Sequence, residues 1–314
     1  VPVGGFTGEG NLGNDESGNG SPLTRAAKGV VPVVAYPDGN YRADSTPIID
    51  ELETLHEGRS VIPPTKAMEF LARLIEDLAD EYLPIPMFYS RWTTDRIWCG
   101  NRQMAGWSEP ISDTELSLRA TSFLERQSSQ LSNSNLDPDQ MQAATQAFYA
   151  AMENLLSQQH FLFGSRPSIA DFALYGQLTQ YAVDPTLCNL MKETAIRTYQ
   201  WTHLVDDLSG WEGDWLSMDE IHPQIIAPFL KLLADYYLPM GELMLALSKD
   251  QDLSTKVNGP GYRAKTLLDL KSRLTALPEE AKTFLEPLLK QEGCWEGLQF
   301  NEGEAERVVP ITAQ

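Results

Sequence analysis

Beyond residue 65 the hydrophobic positions of this chain recur at intervals of three and four, the spacing of one helix face; before it they crowd into two short runs around a turn. Ala67, Phe70, Leu71, Leu74, Ile75, Leu78 and Tyr82 predict a long helix capped by Thr65, which Pro84 and Pro86 kink or end. Its other side carries Glu69, Glu76, Asp77, Asp80 and Glu81, without histidine among them, and is expected to be a solvated face rather than a metal site. Asn101 to Leu136 has the look of mixed helix and linker, closing on the break Ser132–Pro138. Asp137 and Pro138 then stand as N-cap and first residue of a helix to about Gln158, with Met141, Ala144, Phe148, Met152 and Leu155 on its apolar face. Ser168-x-x-Asp171 is a capping box ahead of Phe172, Ala173, Tyr175 and Gly176, and Asp171 is expected to serve folding rather than catalysis. Further helices are predicted over Pro223–Leu247, Tyr262–Leu274 and Glu279–Leu289.

The exception to helical spacing is Gly29–Glu53. Val31–Tyr36 predicts a buried strand, Pro37–Asn40 a hairpin turn, Tyr41–Ala43 a second strand and Ser45 the cap of a helix holding Ile48, Ile49, Leu52 and Leu55. Proline is uncommon at the head of a core strand because it cannot donate to the ladder. A cis bond before Pro32 would turn the backbone groups of Val31 outward, towards a ligand.

Composition narrows the function classes. Across 314 residues, 24 basic side chains face 44 acidic ones, a formal charge of −20. That excess disfavours nucleic acid and anionic membranes as partners. No apolar run approaches the length of a membrane span, about 18 residues. Cys99, Cys188 and Cys294 are odd in number and far apart, and the four histidines stand at no ligand spacing, so neither a disulfide framework nor a zinc site is visible. Val1-Pro2-Val3 has no signal-peptide character, and a cytoplasmic protein is expected.

Two of these stretches, in this order, carry a resemblance. Val31-Pro32 with Asp44-Ser45 resembles the second half of the thioredoxin-like domain of glutathione S-transferases. Gly164–Gly176, with its Pro167-Ser168 and Ala170-Asp171, resembles the capping-box helix of that family's C-terminal domain. The resemblance covers approximately Gly29–Gly210 and extends to a mostly bacterial branch with extra helices. It implies an α+β chain: an incomplete thioredoxin-like domain over 29–60, a larger all-α domain over 65–210, and a helical extension over 211–314. It also implies glutathione as substrate, with Val31 and Pro32 at its cysteinyl backbone and Asp44 and Ser45 at its γ-glutamyl end. An apolar electrophile would contact a co-substrate cleft holding Tyr82, Tyr89, Arg91 and Trp92. A homodimer is the family expectation, and no metal is implied.

Residues 1–28 depart from that pattern. They are rich in glycine and polar residues, reading as a flexible arm, and leave no room for the first strand, helix and strand of a thioredoxin-like domain. Gly8–Gly13 satisfies G-x-G-x-x-G but no helix can follow it. The catalytic donor is unknown; Ser21, in Ser21-Pro22-Leu23-Thr24-Arg25, is the one motif-like candidate. Two functions therefore stand: conjugation of glutathione to an electrophile, or a non-catalytic binding or assembly module, with weak or no glutathione binding and no efficient transfer expected.

Overall fold

The structure, a computed structural model, describes residues 31–106, 110–132, 136–254 and 259–311. The 1–28 arm, with Ser21 and the Gly8–Gly13 match, lies outside the described residues. The chain forms two compact units: one holds the chain through Ser60, Gly100–Arg126 and the residues from Pro310, the other Val61–Cys99 and Gln127–Val309.

In the first unit, β1 (Val33–Ala35) and β2 (Tyr41–Ala43) pair antiparallel, Val33 opposite Ala43 and Ala35 opposite Tyr41. The connecting turn is closed by Tyr36 N–H to Asn40 O and Gly39 N–H to Tyr36 O, both 3.0 Å. Gly39 supplies the required left-handed backbone at φ 84°, while the Asp38 carboxylate accepts from Asn40 N–H at 2.8 Å. β1 is shorter than the predicted strand and half-buried to exposed. Helix α1 (Ser45–Leu55) follows, and here the cap is one residue earlier than predicted. The Asp44 carbonyl accepts from Ile48 N–H at 3.2 Å, the first intrahelical bond, which makes Asp44 the N-cap and Ser45 the first helical residue.

The stretch predicted as mixed helix and linker is more ordered than that. α4 (Arg96–Ala105) and α5 (Asp113–Ser132) occupy it, and Gly100 lets α4 approach Leu124 closely enough that an added Cβ would lie 3.0 Å from its Cγ.

In the second unit α2 (Lys66–Asp77) is capped by Thr65, whose hydroxyl accepts from Met68 N–H at 3.2 Å. It runs into a π turn over Leu78–Tyr82 and then α3 (Pro84–Thr93). The same sequence of events recurs in α10 (Pro223–Leu232), a π turn over Leu233–Tyr237 and α11 (Leu238–Leu247). Both turns come from near-identical runs, Leu-Ala-Asp-Glu-Tyr-Leu-Pro from Leu78 and Leu-Ala-Asp-Tyr-Tyr-Leu-Pro from Leu233. The physical cause is the proline. Pro84 and Pro239 cannot donate to the carbonyls four residues back and their rings crowd them. The preceding turn widens, and Leu83 and Leu238 N–H bond five residues back to Leu78 and Leu233.

The acidic side of α2 is not a solvated face. Glu76 is buried and accepts from Arg73 at 3.0 Å, the half-buried Asp77 accepts from the Tyr237 hydroxyl, and Glu81 pairs with Arg263 at 3.5 Å. The reason is that α12 (Pro260–Ala276) and α13 (Glu279–Gln291) pack on α2, which buries Glu76 and leaves Asp77 and Glu81 half-buried against partners. Burial and the neighbouring Glu81 push the Asp77 carboxyl well above its ordinary range. Lys271 of α12 is fully buried between Glu242 and Glu304, 2.7 Å from each.

The core of this unit surrounds α6 (Pro138–Leu156) and α7 (Ile169–Val183), flanked by α8 (Pro185–Thr194) and α9 (Ile196–Asp206). Phe148, Tyr149 and Tyr181 meet edge-on or tilted with centroids about 6 Å apart. Ahead of α7 the backbone of Phe163–Ser165 bonds to Asp214 and Leu216. Side chains are excluded there: a Cβ on Gly164 would lie 2.5 Å from Asp214 O, and one on Gly213 would overlap the Ser165 carbonyl.

Candidate functional site

Val31-Pro32 and Asp44-Ser45 are brought together by the hairpin register. With Val33 opposite Ala43, the next pair along is Pro32 and Asp44, and Asp44 N–H donates to Pro32 O at 3.1 Å. The Val31–Pro32 peptide bond is cis. Val31 is 46% exposed and Ser45 half-buried, whereas Asp44 is buried. Asp44 stands at φ 83°, alone among the described non-glycine residues in having positive φ. A residue with a Cβ held there costs on the order of 1–3 kcal/mol, so the surroundings must enforce it. Its side chain makes no capping bond to α1. The site therefore places a carboxylate, a hydroxyl and the first N–H groups of an 11-residue helix near the exposed Val31.

Arg42 braces this segment from the second strand, donating to Glu51 at 3.1 Å and to Asp38 at 3.3 Å while lying over the Tyr36 ring. Asn40 bonds hold the Asp38 carboxyl below its ordinary value. The sequence patterns did not single out Arg42.

Tyr82, Tyr89, Arg91 and Trp92 belong to the other unit. Tyr82 is buried, its ring stacked on Tyr236 at 5.5 Å and its hydroxyl without a hydrogen-bond partner among the described residues. Burial pushes that phenol upward. Trp92 is buried with the Phe88 ring against it edge-on. Arg91 donates to the fully buried Asp184 at 2.7 Å and to Gln180 at 3.2 Å. Tyr89 and Arg91 keep partial exposure.

Asp171 is saturated. Its carboxylate accepts from Leu162 N–H at 2.9 Å, Ser168 N–H at 2.8 Å and Ser168 Oγ at 2.6 Å, and the Ser168 hydroxyl accepts from Asp171 N–H in return. Burial raises the carboxyl to about 6 while those bonds pull it down. It is a folding device. The three cysteines are buried and free, and burial pushes the Cys99 and Cys294 thiols up to about 12, far from nucleophilic thiolates at neutral pH.

Among the described residues no group of three or more His, Cys, Asp or Glu side chains is arranged to hold a metal, and no helix is long and apolar enough to cross a membrane. No curated protein and no solved structure matches this chain. The family model described as "Glutathione S-transferase, C-terminal domain" matches residues 133–212, the stretch that contains α6, the saturated capping box of α7, α8 and α9. Over that stretch the chain is similar to the C-terminal domain of glutathione S-transferases.

Proposed function

We propose that this protein binds glutathione through Val31, Pro32, Asp44 and Ser45, as the resemblance of this segment to a thioredoxin-like half-domain implies, and conjugates its thiol to an electrophile. The observation that carries the reading is the 3.1 Å bond from Asp44 N–H to Pro32 O, which sets the two pairs side by side with Asp44 held at φ 83°. The Asp44 carboxylate is suited to the γ-glutamyl ammonium. Ser45 and the N–H groups opening α1 are suited to its α-carboxylate, since both the free donors and the helix dipole favour an anion. The exposed backbone of Val31 offers peptide hydrogen bonds to the cysteinyl residue. Conjugation forms a bond between the glutathione sulfur and an electrophilic carbon, whose leaving group or displaced electron pair takes up the charge the thiolate brought. Of the four co-substrate residues, Tyr89 and Arg91 are the ones with surface to contact it.

One observation favours the alternative, a non-catalytic binding or assembly module. Tyr82 and Trp92 are buried in their own unit, and Arg91 is bonded to Asp184, so much of the co-substrate set is engaged in packing. A homodimer and a cytoplasmic location go with either reading and are proposed on the resemblance alone.

Calorimetric titration with glutathione, followed by a conjugation assay with an aryl halide, tests both. A single charge-assisted cluster must offset the lost freedom of the ligand, so the expected dissociation constant is about 1 mM, weakened about tenfold by Ser45→Ala. Turnover on top of that binding supports the enzyme; binding without turnover supports the module. Heat of binding that Ser45→Ala leaves unchanged removes the site itself.

A further inference from the structure

A cavity lies wholly within the helical unit, whereas Val31–Ser45 belong to the other. It has a volume of about 310 Å3, with one wall from the first turns of α2 and the other from the end of α12 and the turn after it. Lys66, Glu69, Phe70 and Arg73 stand at i, i+3, i+4 and i+7 and so share one face of α2. Arg273 lines the same cavity, together with the apolar Leu277 and Pro278.

The charge of this lining is opposite to that of the molecule. The chain carries −20, yet three cations and one carboxylate line the cavity. Each cation is steered by an acid of its own helix: Lys66 by Glu69 at 2.7 Å, Arg73 by Glu76 at 3.0 Å and Arg273 by Asp269 at 2.5 Å. Those ties hold the stems in place, and of the three acids only Glu69 is part of the wall. Arg73 is 4% exposed, so its guanidinium is a built feature of the cavity rather than a surface charge. Lys66 is the first residue of a 12-residue helix, whose positive end adds to the field, while Arg273 offsets the carbonyl end of α12. Three cations line one cavity, and an anion held among them gains from all three. Two guanidiniums favour a planar, forked acceptor, and the Phe70, Leu277 and Pro278 surfaces favour an apolar body attached to it.

We propose that this cavity binds a small organic carboxylate with an apolar body. The whole-molecule charge repels such a ligand at long range, so its affinity rests on the local cations, and binding is independent of the glutathione site.

The test uses the full chain and 4-phenylbutyrate, with its uncharged amide as control, in calorimetric titration. Saturable binding with a dissociation constant below about 1 mM is expected, weakened about tenfold for the amide and about tenfold by Arg273→Met. Ser45→Ala should leave it unchanged. Arg273 is partly exposed, so the variant is expected to fold; Lys66→Met, at an exposed position, provides a second variant, weakened about threefold. Absence of saturable heat, equal binding of acid and amide, or binding indifferent to both substitutions would overturn the proposal. Loss of glutathione binding alone would leave it standing.

Discussion

Asp171 and Asp44 both stand at the head of a helix, and the chain uses them in opposite ways. Asp171 accepts three hydrogen bonds and completes a reciprocal capping box. Its backbone is ordinary and its side chain is wholly committed. Asp44 has the reverse arrangement: the backbone is held at φ 83° and the side chain makes no capping bond. A carboxylate that satisfies buried donors lowers the free energy of the fold. An acid held on a costly backbone that does not cap its own helix is the kind of residue whose retention calls for a function. The comparison separates a scaffold acid from a ligand-binding candidate without reference to which looks more catalytic in the sequence.

The largest effect is expected from Asp171→Ala. It leaves the buried N–H groups of Leu162 and Ser168 without their acceptor, at about 3–4 kcal/mol, read as a lower urea midpoint. A loss below about 1 kcal/mol would place Asp171 among ordinary caps.

The second effect is a pH dependence. The Asp171 carboxyl titrates near 4 in the unfolded chain and at about 6 in the folded one. The folded state therefore holds the proton more tightly, and stability is highest below the unfolded value and falls as pH rises from about 4 to about 6, by on the order of 3 kcal/mol. Asp77, whose carboxyl is also pushed upward, adds a slope of the same sign. Comparing wild type with Asp171→Asn over that range isolates the Asp171 part; parallel curves would contradict it.

Gly213→Ala should cost about 2–3 kcal/mol, because its Cβ meets the Ser165 carbonyl and pushes apart the loop that presents Leu162 to Asp171. The smallest effect has the opposite sign. Asp44→Gly should stabilise the protein by about 1 kcal/mol, since glycine takes positive φ freely, while weakening glutathione. Stabilisation without loss of binding would end the contrast between the two acids.

Much of this was legible in the residues. The helix face of α2, the Asp137-Pro138 start of α6 and the Ser168–Asp171 box depend on neighbours three and four positions away, and local chemistry is enough to specify them. The Val31-Pro32 and Asp44-Ser45 pairs were visible too, because a four-residue turn sets their register. What failed was the judgement about the opposite, acidic face of α2. Glu76 and Asp77 have the sequence of solvated charge, and only the packing of helices from the far end of the chain covers them. Asp77 meets Tyr237 across 160 residues, and Lys66 and Arg273, separated by still more of the chain, line one cavity. The backbone cost at Asp44 was equally invisible, being imposed by the meeting of a strand end with a helix start. The sequence by itself determined where helices begin, which residues prefer the interior and where prolines interrupt the hydrogen-bond ladder. Only the tertiary structure decided which charges are paired, which cations converge and which acid is left outside its own cap, because those depend on distances between segments that local preference does not encode.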